Sequence, residues 1–197
     1  VQIWTNIDGM HNNDPRVVKN TRPIAMLTFD EAAELAYFGA KILHPTSIVP
    51  ARNSGVPVVL KNTMAPEKLG TVISNEPSGN HIKALAAKDG ITAIKIKSDR
   101  MLLAYGFLRQ IFEVFERHKI SIDMITTSEV AVSLTIDDDR DISELVEELG
   151  LYGKVEVDTN QTIVCIVGHM LQSESGHAAK IFNSLKDITL RMISYGG

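Results

Sequence analysis

The sequence predicts an α/β segment followed by an α+β unit of order β-α-β-β-α-β, and three observations support it. First, in GFLRQIFEVFERHKISIDMITTSE (residues 106–129) Phe107, Ile111, Val114 and Phe115 recur at the spacing of one helix face. Arg109, Gln110, Glu113, Glu116 and Arg117 take the opposite side. Second, apolar and polar residues alternate on either side of that helix, the period of a half-buried strand. Third, Gly106, Ile111 and Phe112 recur 70 residues on as Gly176, Ile181 and Phe182. Asp123-Met124-Ile125 recurs as Arg191-Met192-Ile193, 68 residues on. Such a period marks an internal repeat.

Val1 to Trp4 reads as a short strand, followed by a turn-rich loop with Gly9, Asn12, Asn13, Asp14 and Pro15. Such a loop can meet a phosphate through backbone N–H groups and a basic side chain such as Arg16; a plain structural turn is the alternative. Thr28-Phe29-Asp30-Glu31 has the form of a capping box. The helix it opens runs through EAAELAYF and stops at Gly39, a natural C′ residue. Pro45 starts a further helix through Val49 that ends before Gly55, and Val56 to Leu60 is an apolar strand. SNEPSGN, Ser74 to Asn80, reads as a linker.

Ile94 and Ile96 then alternate with Lys95 and Lys97 as a strand. The amphipathic helix ends near His118-Lys119, where basic groups suit the negative end of the helix dipole. Ile120, Ile122 and Ile125 are expected to form a strand with Asp123 inside it. After a polar break, Thr126 to Glu129, Val130, Val132, Leu134 and Ile136 alternate with Ala131, Ser133 and Thr135. Ile142, Leu145, Val146 and Leu149 mark a second helix that Asp139 or Asp141 could cap, and Val155 and Val157 a fourth strand. Together these elements make the ferredoxin-like split βαβ arrangement. A strand over 162–167 and a helix from Gly176 begin a second such unit, which stops after β-α-β.

At 197 residues the chain can hold one large domain or two small ones. A 44% hydrophobic and 22% charged composition is that of a soluble globular protein. The formal charge of −4, with no basic patch interleaved with aromatics, argues against a nucleic-acid partner. A single cysteine, Cys165, excludes an internal disulfide framework and reads as a buried small hydrophobe. No apolar stretch approaches the ~18 residues of a membrane span and no signal peptide is visible, so a cytoplasmic, non-membrane protein is expected. His11, His44, His81, His118, His169 and His177 show no metal-ligand spacing, and Asp137-Asp138-Asp139 opens no calcium-loop pattern. No metal site is expected. The chain begins at Val1 in mid-pattern, which suggests a piece of a longer protein.

TNIDGMHNNDPRVV (residues 5–18), GAKILHP (39–45) and the 106–130 stretch resemble, in that order, the corresponding motifs of lysine-sensitive aspartokinases. KNTMAPEKLGTVI (61–73) is similar to the closing segment of that family's kinase domain. The resemblance implies the C-terminal part of an amino-acid-kinase α/β domain over 1–73, a linker over 74–88, a ferredoxin-like ACT domain over 89–160 and a partial second one over 161–197. It implies an enzyme that phosphorylates the side-chain carboxylate of L-aspartate with ATP and Mg²⁺, the first step of lysine, threonine and methionine biosynthesis. In such a reaction, positioned charge near the phosphates carries most of the catalysis. The implied nucleotide-binding residues are Thr5, Asn6, His11, Arg16, Lys41 and Ile42. Asn6 stands where the family has Asp, and His11 where it has Tyr.

For L-lysine as feedback effector, the resemblance implies Met101, Ala104, Gly106, Phe107, Leu108, Ser121, Ile122, Asp123, Thr127, Ser128 and Glu129. It places the ligand between the ACT domains of two subunits, hence a homodimer. Ala104 stands where these enzymes can carry serine. The chemistry suits an amino acid, since a helix start at Gly106 offers free N–H groups to a carboxylate and Asp123 offers a negative charge to an ammonium. The family's Lys-x-Gly-Gly phosphate segment and aspartate-binding residues are not in this chain. No catalytic residue is therefore identified, and the chain alone is expected to be inactive. The alternative reading is a non-catalytic ACT-type amino-acid-binding module.

Overall fold

The computed structural model describes residues 1–39, 42–76, 79, 81–99, 105–137, 140, 142–168 and 175–195. They fall into two compact units, Val1–Lys88 with Ile163–Leu185 and Asp89–Thr162 with Lys186–Gly197.

In the first unit β1 (Gln2–Thr5), β2 (Met26–Thr28), β3 (Val58–Asn62) and β4 (Thr71–Ser74) form a sheet of order β1-β3-β4-β2. β1 runs parallel to β3 and β2 parallel to β4, while β3 and β4 are antiparallel. Helix α1 (Phe29–Phe38) packs Phe29, Ala32 and Leu35 into a core with Met10, Leu27, Leu60 and Ile73. The expected capping box is present. Thr28 N–H donates to Glu31 Oε2 at 2.8 Å, and Glu31 N–H donates to Thr28 Oγ1 at 3.1 Å. A 3-10 turn (Pro45–Ile48) leads into the short helix α2 (Val49–Asn53). Thr71, fully buried, accepts from Met10 N–H at 2.8 Å and donates to the Ile24 carbonyl at 2.7 Å, so one hydroxyl fastens the loop after β1 to the sheet.

Two expectations for this unit need correction, and one strand was not expected. Gly39 ends α1, but with φ 166°, an extended conformation and not the left-handed one of a C′ glycine. Its smallness serves the approach of Ala87, whose carbonyl would lie 3.1 Å from a Cβ at residue 39. β3 starts at Val58 and not Val56, because Pro57 has no N–H to give a ladder. β2 has only three residues, too few for its period to show in the sequence.

The second unit has the expected β-α-β-β-α-β order in β5 (Ala84–Lys97), α3 (Phe107–Arg117), β6 (Met124–Thr127), β7 (Ala131–Ile136), α4 (Ile142–Leu149) and β8 (Lys154–Val167). The sheet order is β6-β7-β5-β8, the arrangement of a ferredoxin-like fold. β5 and β7 are antiparallel with Thr92 opposite Ile136 and Lys97 opposite Ala131; β6 is antiparallel to β7. The predicted face of α3, Phe107, Ile111, Val114 and Phe115, is buried against Ile94, Ile96, Val132, Leu134, Leu145 and Leu149.

Here too the sequence expectations shift. β6 begins at Met124, so Ile120 and Ile122 precede it and Asp123 sits at its entrance, donating its N–H to the Thr135 carbonyl at 2.9 Å. The reason is Lys119, left-handed at φ 56°, which ends α3 and turns the chain before any ladder can form. Val130 is 49% exposed because it belongs to the turn between β6 and β7. β5 already begins at Ala84, inside the stretch expected as linker, and the strands expected near 155–157 and 162–167 are one strand, β8. Gly90 (φ 76°) and Asn160 (φ 55°) take left-handed conformations within these strands, so residues that look like turn formers mark kinks. α5 (His177–Ser184), part of the first unit, repeats the start of α3: Gly176 and Gly106 are both left-handed N-caps, at φ 95° and 81°. The stretch Arg191–Ile193, which repeats the start of β6 in sequence, forms no strand. Asp138, Asp139 and Asp141 lie outside the described residues.

Ile111, fully buried at the centre of the α3 face, gives the test of this packing. Ile111→Ala is expected to destabilise the protein by about 2–5 kcal/mol in denaturant unfolding. Phe112→Ala next to it, 39% exposed, is expected to cost less than about 1 kcal/mol. Equal losses would mean that α3 does not pack by this face.

Candidate functional site

Of the residues expected to meet a nucleotide, Asn6, His11 and Arg16 lie in the loop after β1. Thr5 closes β1 and its hydroxyl donates to Asn6 Oδ1 at 3.3 Å. At Gly9, left-handed at φ 115°, a side chain would run into Thr71. His11 is held on both ring nitrogens, 2.9 Å from Asp8 Oδ1 and 2.9 Å from Thr21 Oγ1. The His11 hydrogen bond is the main reason that the Asp8 carboxyl titrates below its ordinary range. Arg16 is 73% exposed and forks onto Asp14, with Nη2 2.6 Å and Nε 3.0 Å from its carboxylate. That hydrogen bond holds the Asp14 carboxyl low as well. Ile42 packs against the same core as Met10. Lys41 lies outside the described residues. The loop thus presents an exposed guanidinium and a polar strand end, both suited to phosphate.

A feature that the sequence reading missed lies beside this loop. Lys83 Nζ donates to Glu31 Oε2 at 2.6 Å, with side chains 3% and 9% exposed, and Glu31 Oε1 is buried without a hydrogen-bond partner. In the sequence Glu31 is explained by the capping box alone, and nothing marks Lys83 as buried.

Of the residues expected to bind an effector, Gly106, Phe107 and Leu108 form the start of α3, where among the described residues no side chain caps the helix. Ser121, Ile122 and Asp123 form the approach to β6, and Thr127, Ser128 and Glu129 its far end. Ser128 N–H donates to the Ala131 carbonyl at 2.8 Å and closes the turn. Asp123 and Ser128, five residues apart, therefore stand up to about 16 Å from each other, at ~3.3 Å per residue. Met101 and Ala104 lie outside the described residues. A cavity of ≈ 680 Å³ in this unit takes in Ser128, together with Lys95, Lys97, Lys154, Tyr152 and Val130, and excludes Asp123.

Cys165 is half-buried, and burial together with the nearby Glu34 carboxylate pushes its thiol up to about 12, which leaves it unreactive at neutral pH. Among the described residues no group of three or more His, Cys, Asp or Glu side chains could hold a metal ion, and no helix is long and apolar enough to cross a membrane.

Family models match in two places: the amino acid kinase family over residues 1–62 and an ACT domain over residues 94–143. A C-terminal regulatory domain of aspartate kinase from Porphyromonas gingivalis is 50% identical, over 58% of this chain and 78% of that one, with a TM-score of 0.51. The chain belongs to the aspartokinase family. Lysine-sensitive aspartokinase 3 of Escherichia coli is 38% identical over the whole of this chain and 46% of its own length. The E. coli aspartokinase III structure with aspartate and ADP, described as an R-state, superposes at a TM-score of 0.88, covering 99% of this chain and 46% of that one. The same enzyme with lysine and aspartate, a T-state, superposes at 0.84 over 99% of this chain and 45% of that one, at 38% identity. This aspartokinase chain spans less than half the length of the curated relatives it matches.

In the second unit, Arg117 Nε (3.0 Å) and His118 Nε2 (2.8 Å) reach the Glu148 carboxylate and tie α3 to α4. The Arg117 hydrogen bond, then that of His118, holds the Glu148 carboxyl below its ordinary 4.5. A carboxyl depressed in the folded state adds stability above its unfolded pKa and loses it as pH falls through the folded value. Glu148→Gln is therefore expected to be less stable than the unmutated chain at neutral pH. The gap should close on acidification from 4.5 downward. Urea midpoints for both proteins across that window check it; a gap independent of pH would exclude this ion pair as its source.

Proposed function

We propose that this chain supplies the nucleotide-side closing portion and the lysine-binding regulatory portion of an aspartokinase. The whole enzyme then transfers the γ-phosphoryl group of ATP to the side-chain carboxylate of L-aspartate, and L-lysine is its feedback effector. The observation that carries this reading is the joining, in one aspartokinase-family chain, of an amino-acid-kinase match over 1–62 to an ACT match over 94–143. The kinase match counts against a purely amino-acid-binding module.

In this reading Thr5, Asn6, His11, Arg16, Lys41 and Ile42 face the nucleotide. Arg16 must exchange Asp14 for phosphate, which is feasible because the pair is exposed and weakly held. His11 has both ring nitrogens engaged, by Asp8 and Thr21, so it would meet a base by stacking and not through a free nitrogen. ATP would bring magnesium as part of the substrate. A cytoplasmic location goes with this reading.

The effector residues support a shared site. Asp123 and the Thr127–Glu129 turn lie at opposite ends of β6, farther apart than the length of a free amino acid. β6 is an edge strand of its sheet. Two copies paired antiparallel along β6 about a twofold axis would bring Asp123 of one protomer beside Ser128 and Glu129 of the partner subunit. Lysine would then be held by the ammonium at Asp123 and by the carboxylate at backbone N–H groups of a helix start.

Calorimetry with L-lysine tests the site. A hydrogen bond to a charged group contributes about 1.5–3 kcal/mol, so Asp123→Ala is expected to weaken binding by roughly ten- to over a hundredfold. Sedimentation of the unmutated chain is expected to show a dimer at micromolar concentration. Unchanged lysine affinity in the variant would remove Asp123 from the site, and a monomer that binds lysine normally would remove the partner.

A further inference from the structure

We propose that the cavity at the Lys97 end of β5 is a binding site for a small polyanion, a phosphorylated compound or a polycarboxylate. Its volume is ≈ 680 Å³, within the ~300–1,000 Å³ typical of small-molecule sites. Among the described residues that line it, Lys95, Lys97 and Lys154 are cationic and Asp99 alone is acidic. The chain as a whole carries a formal charge of −4, so three ammoniums around one cavity run against its general character.

Strand geometry brings these lysines together. Ile94 and Ile96 are fully buried on the face that α3 and α4 cover, so Lys95 and Lys97 stand on the opposite face, exposed. Two residues along a strand separate them by about 6.6 Å. Lys154 opens β8, the neighbour of β5 in the sheet. Across the ladder Lys95 faces Ser133 and Lys97 faces Ala131, both too small to cover the lysine stems, so the space stays open. The loop 150–154 forms the second wall. A Cβ at Gly153 would run into the Lys97 carbonyl and the Ser98 side chain, so glycine lets this loop lie against the end of β5. Tyr152 packs against the core of the unit and anchors the same loop. Neutralisation of the cluster is incomplete. One oxygen, Glu156 Oε1, is shared by Lys97 at 3.0 Å and Lys154 at 3.3 Å. Lys95 has no ion pair among the described residues. Like charges this close repel, and the exposed pairs to Glu156 are weakly held. A multiply charged anion would relieve the repulsion by accepting from all three ammoniums, compact point charges of the kind that bind phosphate.

Calorimetry on this chain in magnesium-free buffer, with inorganic pyrophosphate and with citrate as probes, tests the site. At least one probe is expected to bind with a Kd below about 1 mM, and which one binds tells a phosphorylated occupant from a polycarboxylate. Lys95→Gln combined with Lys97→Gln, both at exposed positions, is expected to weaken that binding by about tenfold or more. Arg16→Ala and Asp123→Ala are each expected to leave a site of the same affinity, because neither residue lines the cavity. Failure of both probes to bind would overturn the proposal, as would unchanged affinity in the double lysine variant. A loss confined to Arg16→Ala would overturn it too, since the anion would then sit in the loop after β1.

Discussion

The antiparallel ladder between β5 and β7 is the constraint on which the second unit rests. With Thr92 opposite Ile136 and Lys97 opposite Ala131, Ile94, Ile96, Val132 and Leu134 all point to one side. A register slip of one residue would turn that whole set to the other face. Because the register is held, one apolar face exists, and α3 and α4 have something to cover. The short strand β6 then adds to β7 by its own ladder, and its two ends are where the residues of the proposed effector site stand. The separation of Asp123 from Ser128 is a consequence of strand geometry, and so is the need for a second copy in the proposed site.

In the first unit the corresponding node is polar. Thr71 and Glu31 each satisfy two donors or acceptors that would otherwise be buried alone, Thr71 for the loop after β1 and Glu31 for the start of α1. Buried polar groups of this kind cost free energy unless paired, so they specify one arrangement of the chain more sharply than apolar packing does. The loop that would face a nucleotide owes its shape to them, along with the left-handed Gly9.

What could be read in the sequence was what depends on local period or on neighbours three or four residues apart. The face of α3, the capping box at Thr28 and the strand pattern of β7 all have that character, and they stand as read. The misreadings came where local signals meant something else in context. The linker expected up to residue 88 and the break expected between 157 and 162 both fall inside continuous strands, because pairing between β5 and β8 outweighs local preferences such as those of Gly90 and Asn160. Lys119 gave no sign of its left-handed backbone, which needs no glycine when the following chain holds it. Lys83 was illegible for a different reason: its burial depends on a carboxylate 52 residues away.

Pair burial also bears on why an ion pair stands where apolar residues would pack. A buried charge pair is often no more stabilising than well-packed apolar residues of the same volume, while loss of one member is costly. Glu31 already serves as the N3 carboxylate of the capping box, so an apolar replacement for the pair would lose its bond to the Thr28 N–H as well as the charge. Lys83 then neutralises a carboxylate that the helix requires in any case. Its long stem lets the neutralising charge come from the strand β5 entrance and not from α1 itself. The outcome is a helix whose first turn is tied to a residue 52 positions away.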